Sequence, residues 1–263
     1  MKNITLPPVS FTLLLSTAFI ANAHAQDNKK QHENTWGLSI GQLLISAPVF
    51  TGSDEYKFTG APIINGYLNL SEQSTLFMSE SDIGLNHQLS SKLNIGIFGH
   101  VRSSENRSKN DHSNTFSNID AAFEVGSYVS YQLTNQLEIG VKGLFDVSGT
   151  HSGWITNFNA SYAHLVPSNS IAVTTSAGLN YGSSEYNDTY YGVKSSTKST
   201  TKFELKSGFN SAILGTVFSY KTSENISLIG LISVTKIIGD AQDSPTVKKN
   251  TLTAMGLGVV YTF

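Results

Sequence analysis

Apolar residues in this chain recur at every second position over stretches of about ten residues, and the apolar face of each stretch carries almost no charge. In "QLEIGVKGLFDV", Leu137, Ile139, Val141, Phe145 and Val147 share one face with Gly143. Gln136, Glu138, Gly140, Lys142 and Asp146 share the other, joined by Leu144. "SNIDAAFEVGSYVSYQL" sets Ile119, Ala121, Phe123, Val125, Val129 and Tyr131 against Asn118, Asp120, Glu124, Gly126 and Gln132. "KLNIGIFGHVRS" sets Leu93, Ile95, Ile97 and Val101 against Lys92, Asn94, His100 and Arg102, and "SIAVTTSAGLNYG" repeats the pattern. Period two is the signature of a strand with two unlike faces. Sustained helical periodicity is almost absent.

Two arrangements satisfy such strands, a soluble sandwich with an apolar core or a barrel with lipid outside. Composition separates them. Charged residues are 14% of the chain, against roughly 25% in soluble domains. Hydrophobic residues are nevertheless only 39% and mean hydropathy is −0.10, the balance being Gly, Ser, Thr and Asn. The faces opposite the apolar stripes mix these small residues with charges of both signs, as a crowded polar lumen would. Backbone groups in hydrocarbon must all be paired, so membrane-spanning strands must close into a barrel. The sequence therefore predicts an all-β, transmembrane, antiparallel up-and-down β-barrel.

Connection lengths add topology. Short links fall at 90–92, 134–136, 167–170 and 222–225, and long ones at 47–58, 103–116, 184–203 and 239–250. Outer-membrane barrels have short periplasmic turns and longer outer loops. Strands are expected near 35–46, 60–70, 81–90, 92–103, 117–132, 136–148, 153–166, 169–182, 205–221, 225–238 and 251–263. Counting "TLFMSE" (75–80) as a further short strand gives twelve, with both termini periplasmic; ten is the alternative.

The first 25 residues read as a signal peptide. Lys2 precedes the apolar "LPPVSFTLLLSTAFI", and Ala23-His24-Ala25 offers the cleavage site. The competing reading, a membrane anchor, needs about 20 apolar residues, more than this stretch has. Residues 26–34 form a polar periplasmic segment and 35–263 the barrel. A net charge of −2 gives nothing for nucleic acid to bind, and without cysteine there is no thiolate chemistry. No cofactor or metal is expected.

Two segments fall outside the alternation, "NDTYYGV" (187–193) and "GDAQDSPTV" (239–247). In the second, Gly239, Asp240, Asp243, Ser244 and Pro245 form either a turn organised by local side-chain bonds or a cation or partner site built from clustered oxygens. In the first, Asp188 caps a turn while Tyr190 and Tyr191, beside Gly192, pack into the barrel mouth or offer a stacking surface. If the two segments pack together they form a plug or lid. Lys92, Arg102, Asp120, Glu124, Glu138, Lys142 and Asp146 are expected to line the lumen, either as bracing ion pairs or as an ion-selective constriction. A Ser-His-Asp set at the rim would draw on His100, Asp111, His112, His151 and Ser152, although Ser and Asp are abundant in these loops by composition alone.

These two motifs, the ending "GLGVVYTF" and the early "APVFTGSDEYKFTGAPIINGYL" (47–68) together resemble the MltA-interacting protein (MipA) / OmpV family of Gram-negative outer-membrane proteins, over about 35–263. That family usually has Phe where this chain has Tyr191. The resemblance implies a non-catalytic barrel in a scaffolding or binding role, with a murein transglycosylase and a murein synthase as partners. Other members are porin-like or adhesive. The ending, with Gly258, Tyr261 and Phe263, also resembles the signal read by the barrel-assembly machinery, and its odd-numbered face would meet outer-membrane lipid.

Overall fold

The computed structural model describes residues 35–107, 116–193 and 202–263. The proposed leader, the segment 26–34 and the pair Asp111 and His112 lie outside these residues. Twelve strands close into one antiparallel barrel in up-and-down order, with β12 hydrogen-bonded to β1. They are β1 (Trp36–Pro48), β2 (Tyr56–Asn69), β3 (Ser74–Ser79), β4 (Asp82–Ser90), β5 (Leu93–Arg102), β6 (Ala122–Gln132), β7 (Leu137–Asp146), β8 (Trp154–His164), β9 (Ile171–Gly182), β10 (Gly208–Lys221), β11 (Ile226–Ile237) and β12 (Thr251–Thr262). The doubtful short segment is thus a strand, β3, and the count is twelve. A helix, α1 (Ser184–Tyr191), and a 3₁₀ helix (Gly239–Asp243) lie in two of the long connections, which the sequence reading left as loops.

The alternation sorts the residues as lipid outside requires. Ile97, Leu214 and Leu257 are 63%, 56% and 73% exposed on the outer face. Exposed aromatics mark both ends of this apolar band. Trp36, Tyr131, Tyr162, Tyr220, Tyr261 and Phe263 ring the end with the short turns, and Tyr56, Phe58, Phe123, Phe145 and Phe209 ring the end with the long loops. Such girdles sit at the two membrane interfaces. Closure runs from Ser39 opposite Thr262 to Ser46 opposite Met255, and Phe263 N–H donates to Leu38 O at 3.0 Å. Gly258 faces inward against Leu43, where an added Cβ would stand 2.5 Å from Gln42 O.

The interior is not uniformly polar, and this departs from the sequence reading. On β1, β2, β10, β11 and β12 the inward residues form an apolar core: Leu43, Ile45, Ile63, Val217, Ile229 and Val260 are among its members, all buried. Strands in this sector carry large apolar residues on both faces, Leu43 and Ile229 inward beside Leu44 and Leu228 outward. On β8–β10 the wall is a ladder of neutral polar groups: Asn157 donates to Asn180 at 2.8 Å, Asn180 to Ser211 at 3.0 Å, and Ser161 bonds Ser176 at 2.8 Å. The buried ion pairs between strand residues lie on β4–β7, among the described residues.

One stretch of wall is low. β3 has 6 residues and meets β2 only from Asn65 to Asn69. Outward of that point β2 keeps a strand partner only in β1, among the described residues.

Candidate functional site

Strand register builds the site. Asn65, Ser79, Asp82, His100, Glu124 and Asp146 are successive cross-strand partners on β2 to β7, one inward row around half of the barrel. A slip of one residue in any strand would turn its member out to lipid. Within the row, Asp82 accepts from His100 Nδ1 at 2.5 Å and from Lys142 Nζ at 2.7 Å. Glu124, completely buried, is gripped by Arg102: Nε lies 3.0 Å from both carboxylate oxygens and Nη2 is 2.9 Å from Oε2. His151 Nε2 lies 2.9 Å from Glu124 Oε1. Its Nδ1 accepts from Gly153 N–H at 3.1 Å, so the ring is neutral with its proton on Nε2, donated to Glu124.

The long connections close over this layer. Helix α1 is short, and its ends rather than its intrinsic propensity hold it. Ser183 Oγ accepts Tyr186 N–H at 3.2 Å as the N-cap. At the C-terminal end, Arg107 donates to the carbonyls of Thr189 and Tyr190, where a cation suits the helix dipole. Arg107 is in turn paired with Glu105 at 3.2 Å, and Glu105 accepts from Thr51 at 2.6 Å, which ties in the β1–β2 loop. Asn187 donates to Lys206 O at 2.9 Å and accepts from Asn210 beside the bulge in β10. Below the helix, Arg102 donates to Tyr186 Oη at 3.2 Å, and its guanidinium lies 5.2 and 5.7 Å from the rings of Tyr186 and Tyr190. Burial pushes the phenols of Tyr186, Tyr190 and Tyr191 up, so all three stay protonated.

The two motifs outside the alternation meet. Ser244 Oγ donates to Tyr191 O and accepts Thr246 N–H at 3.1 Å. Tyr186, Tyr190, Tyr191 and Ala241 form one buried cluster with wall residues including Phe98, Leu144 and Ile237. Two motif glycines are structural necessities. Gly239 has φ +61° and a Cβ there would lie 2.4 Å from Phe209 O. Gly192 follows α1 so tightly that a Cβ would lie 2.4 Å from Asp188 O. Asp188 accepts Leu205 N–H at 2.5 Å, closing the long connection onto the helix. Asp240, Asp243 and Pro245 are exposed, so the two carboxylates face solvent rather than each other's ligand. Among the described residues no cluster of His, Asp and Glu has the geometry of a metal site.

The seven charges expected in the lumen divide. Arg102, Glu124 and Lys142 belong to the buried layer, and Glu138 lines the lumen nearer the periplasmic end. Asp146 holds the outer end of the inward row, while Lys92 and Asp120 lie outside the lumen. Lys92 is exposed in the turn after β4, because β5 begins one residue later than expected. Asp120 is exposed before β6, whose ladder starts only at Ala122. Asp146 ends β7 and organises the next loop, accepting from Ser148, His151 and Ser152 backbone N–H groups at 2.6–2.8 Å. Sequence reasoning missed Asp82, Glu105, Arg107, Tyr186 and Asn187. The signal for Asp82 was its place two residues ahead of the inward run Gly84, Asn86 and Gln88; the loop residues had none. No rim triad forms from His151 and Ser152, since Ser152 Oγ is directed at Gly149 O at 3.4 Å.

A family model described as MltA-interacting protein MipA matches residues 40–263. The outer membrane protein Omp26La of Vibrio anguillarum is 27% identical over 119 residues, which cover 45% of this chain. The chain matches about half of that relative, 46% of its length. Among solved structures, the NanC porin aligns with 11% identity over 85% of this chain and 98% of its own, at a TM-score of 0.46. The KdgM porin aligns with 12% identity over 86% and 99%, at 0.43. The translocator domain of the autotransporter NalP of Neisseria meningitidis aligns with 9% identity over 97% of each chain, also at 0.43.

Proposed function

This chain belongs to the MltA-interacting protein MipA family of outer-membrane barrels, and on that premise we propose that it is a non-catalytic scaffold holding a murein transglycosylase, and with it a murein synthase, at the inner surface of the outer membrane. The observation that favours holding over conducting is the outer mouth. Helix α1 and the 3₁₀ helix pack into it, and Arg102, Glu124, His151 and Arg107 fasten them from below and beside. A barrel of twelve strands is intermediate between the eight-strand size that side chains fill and the sixteen-strand size of open porins, so inserted segments decide its conductance. The buried His100 and His151 fit bracing rather than catalysis, as each is committed to a carboxylate.

On this reading the partner docks on the short turns, the periplasmic rim and the polar segment 26–34. Surface plasmon resonance of the detergent-solubilised full chain against the purified lytic transglycosylase of the same bacterium tests it. Saturable binding that weakens on removal of residues 26–34 is expected. Absence of saturable binding overturns the scaffold reading. The same preparation in planar bilayers should conduct far less than a variant lacking residues 184–203; high conductance of the intact chain would replace the scaffold by a pore.

A further inference from the structure

Below the charged layer, on its periplasmic side, lies a cavity of about 50 Å³ that the scaffold reading leaves unused. Its lining includes Phe77, Phe98, Tyr128, Glu138 and Lys142, with Asp82 at its inner end. The rings are fixed in place by glycines on the neighbouring strands. A Cβ at Gly96 would lie 2.3 Å from the Tyr128 ring, and one at Gly126 2.5 Å from Phe98. Tyr128 is further anchored by donating to Asn86 at 2.7 Å, and it meets Phe77 and Phe98 with centroids 6.4 and 6.1 Å apart.

The charges in this cavity do not balance. Asp82 is answered by Lys142 and by His100. Glu138, the second residue of β7 and so close to the periplasmic turn, is hydrogen-bonded by Ser130 and has no basic group within 4 Å among the described residues. The cavity also contains its own example of how it holds a cation. Lys142 Nζ sits between a carboxylate oxygen 2.7 Å away and the face of Phe98, 4.2 Å from the centroid. Glu138 and the Tyr128 ring offer the same pair of elements, a carboxylate and a π-face, with no ammonium within 4 Å of that carboxylate among the described residues.

We propose that this cavity is a binding site for a small organic cation, a primary ammonium on a short apolar stem, entering from the periplasm with its charge on Glu138 and its stem against Tyr128 and Phe77. The charge-assisted bond and the π-face together give such a ligand a preference over a neutral or anionic molecule of the same size. The size of the cavity restricts the inserted part to a few heavy atoms. This proposal is independent of the scaffold reading, since it requires neither a protein partner nor conduction.

The test is calorimetric titration of the purified full chain in detergent with n-butylammonium chloride, with n-butanol and sodium butyrate as matched probes. Saturable binding of butylammonium alone is expected. E138Q should weaken it by about tenfold, the loss of one charge-assisted contact. Y128L, which keeps the carboxylate and removes the ring, should weaken it several-fold, and serves if E138Q fails to fold. Folding of each variant is read from its heat-dependent mobility on gels. No saturable binding to the parent, equal binding of butanol or butyrate, or unchanged affinity in a folded E138Q or Y128L overturns the proposal.

Discussion

One side of the barrel interior, on β1, β2 and β10–β12, is an apolar core, and the other, on β4–β7, is a layer of buried charge. The two sides solve the same problem, filling a closed barrel, by different physics. On the apolar side every contact is non-directional and exchangeable, so shape and volume decide stability. On the charged side each group is buried on condition that its partner is present. Removal of one member there leaves others desolvated and unpaired, which costs more than the pair contributes when intact. The plug packs along β8–β10, and from the charged side Arg102 on β5 and His151 in the β7–β8 loop reach its Tyr186 and Tyr190. The polar attachment of the plug is therefore specific, while the packing that only supports the wall is generic.

The sharpest way to break this contrast is Glu124→Ala. It strands the fully buried Arg102 and His151 together, and a loss of about 3–5 kcal/mol is expected. Unfolding in denaturant, followed by the folded-to-unfolded mobility shift, measures it. A loss below that of a conservative core change would show that water already reaches the layer. On the apolar side, Leu43→Ala should cost about 2–5 kcal/mol through the cavity it leaves, whereas Leu43→Met should cost less than about 1.5 kcal/mol. Leu43 has no exposed surface, so the full cavity term applies. No equivalent swap exists for Glu124, because even Gln lacks the charge that Arg102 faces. A tolerant Glu124→Gln beside an intolerant Leu43→Met would invert the comparison.

The same contrast explains what the sequence made legible. Where one face of a strand is polar, as on β5–β7, alternation named the inward side and placed Arg102, Glu124 and Lys142 on it. Where both faces are apolar, as in "ISLIGLISV" on β11, a strand was still legible, but neither polarity nor size marked the inside, since Ile229 and Leu231 face in while Leu228 and Ile232 face out. The short β3 was readable as a strand but not as a low point in the wall, since pairing partners are a long-range property. Asp120 was misplaced because the alternation extends beyond the start of the β6 ladder into residues that have not yet joined the sheet. Helix α1 was invisible for a different reason. Asn187, Asp188 and Thr189 are poor helix formers, and the turn exists because Ser183, Arg107 and Asn210 hold it from three separate parts of the chain.

Two smaller effects separate plug from wall. Gly239→Ala places a side chain at φ +61° against Phe209 O, and about 1–3 kcal/mol of strain is expected at the base of the 3₁₀ helix. If the cost falls on the plug alone, limited proteolysis between Gly239 and Asn250 should accelerate while the barrel's mobility shift stays as in the parent. A change in both would mean that plug and wall unfold as one unit.

Ser244→Ala is the finest cut, because the Ser244 Oγ hydrogen bond joins the two motifs directly, running from the loop before β12 to Tyr191 O at the end of α1. Deleting it leaves a buried carbonyl without that donor and frees Thr246 N–H as well, a loss of about 1–2 kcal/mol. The wall does not depend on this bond, as β11 and β12 remain paired from Ile226 opposite Tyr261 to Lys236 opposite Thr251. Amide hydrogen exchange should therefore speed up in Tyr190, Tyr191 and Thr246 and stay unchanged in Leu43 and Leu231. Acceleration on the apolar side as well would show that the charged layer and the apolar core share one cooperative unit, and that the difference between them is chemical but not mechanical.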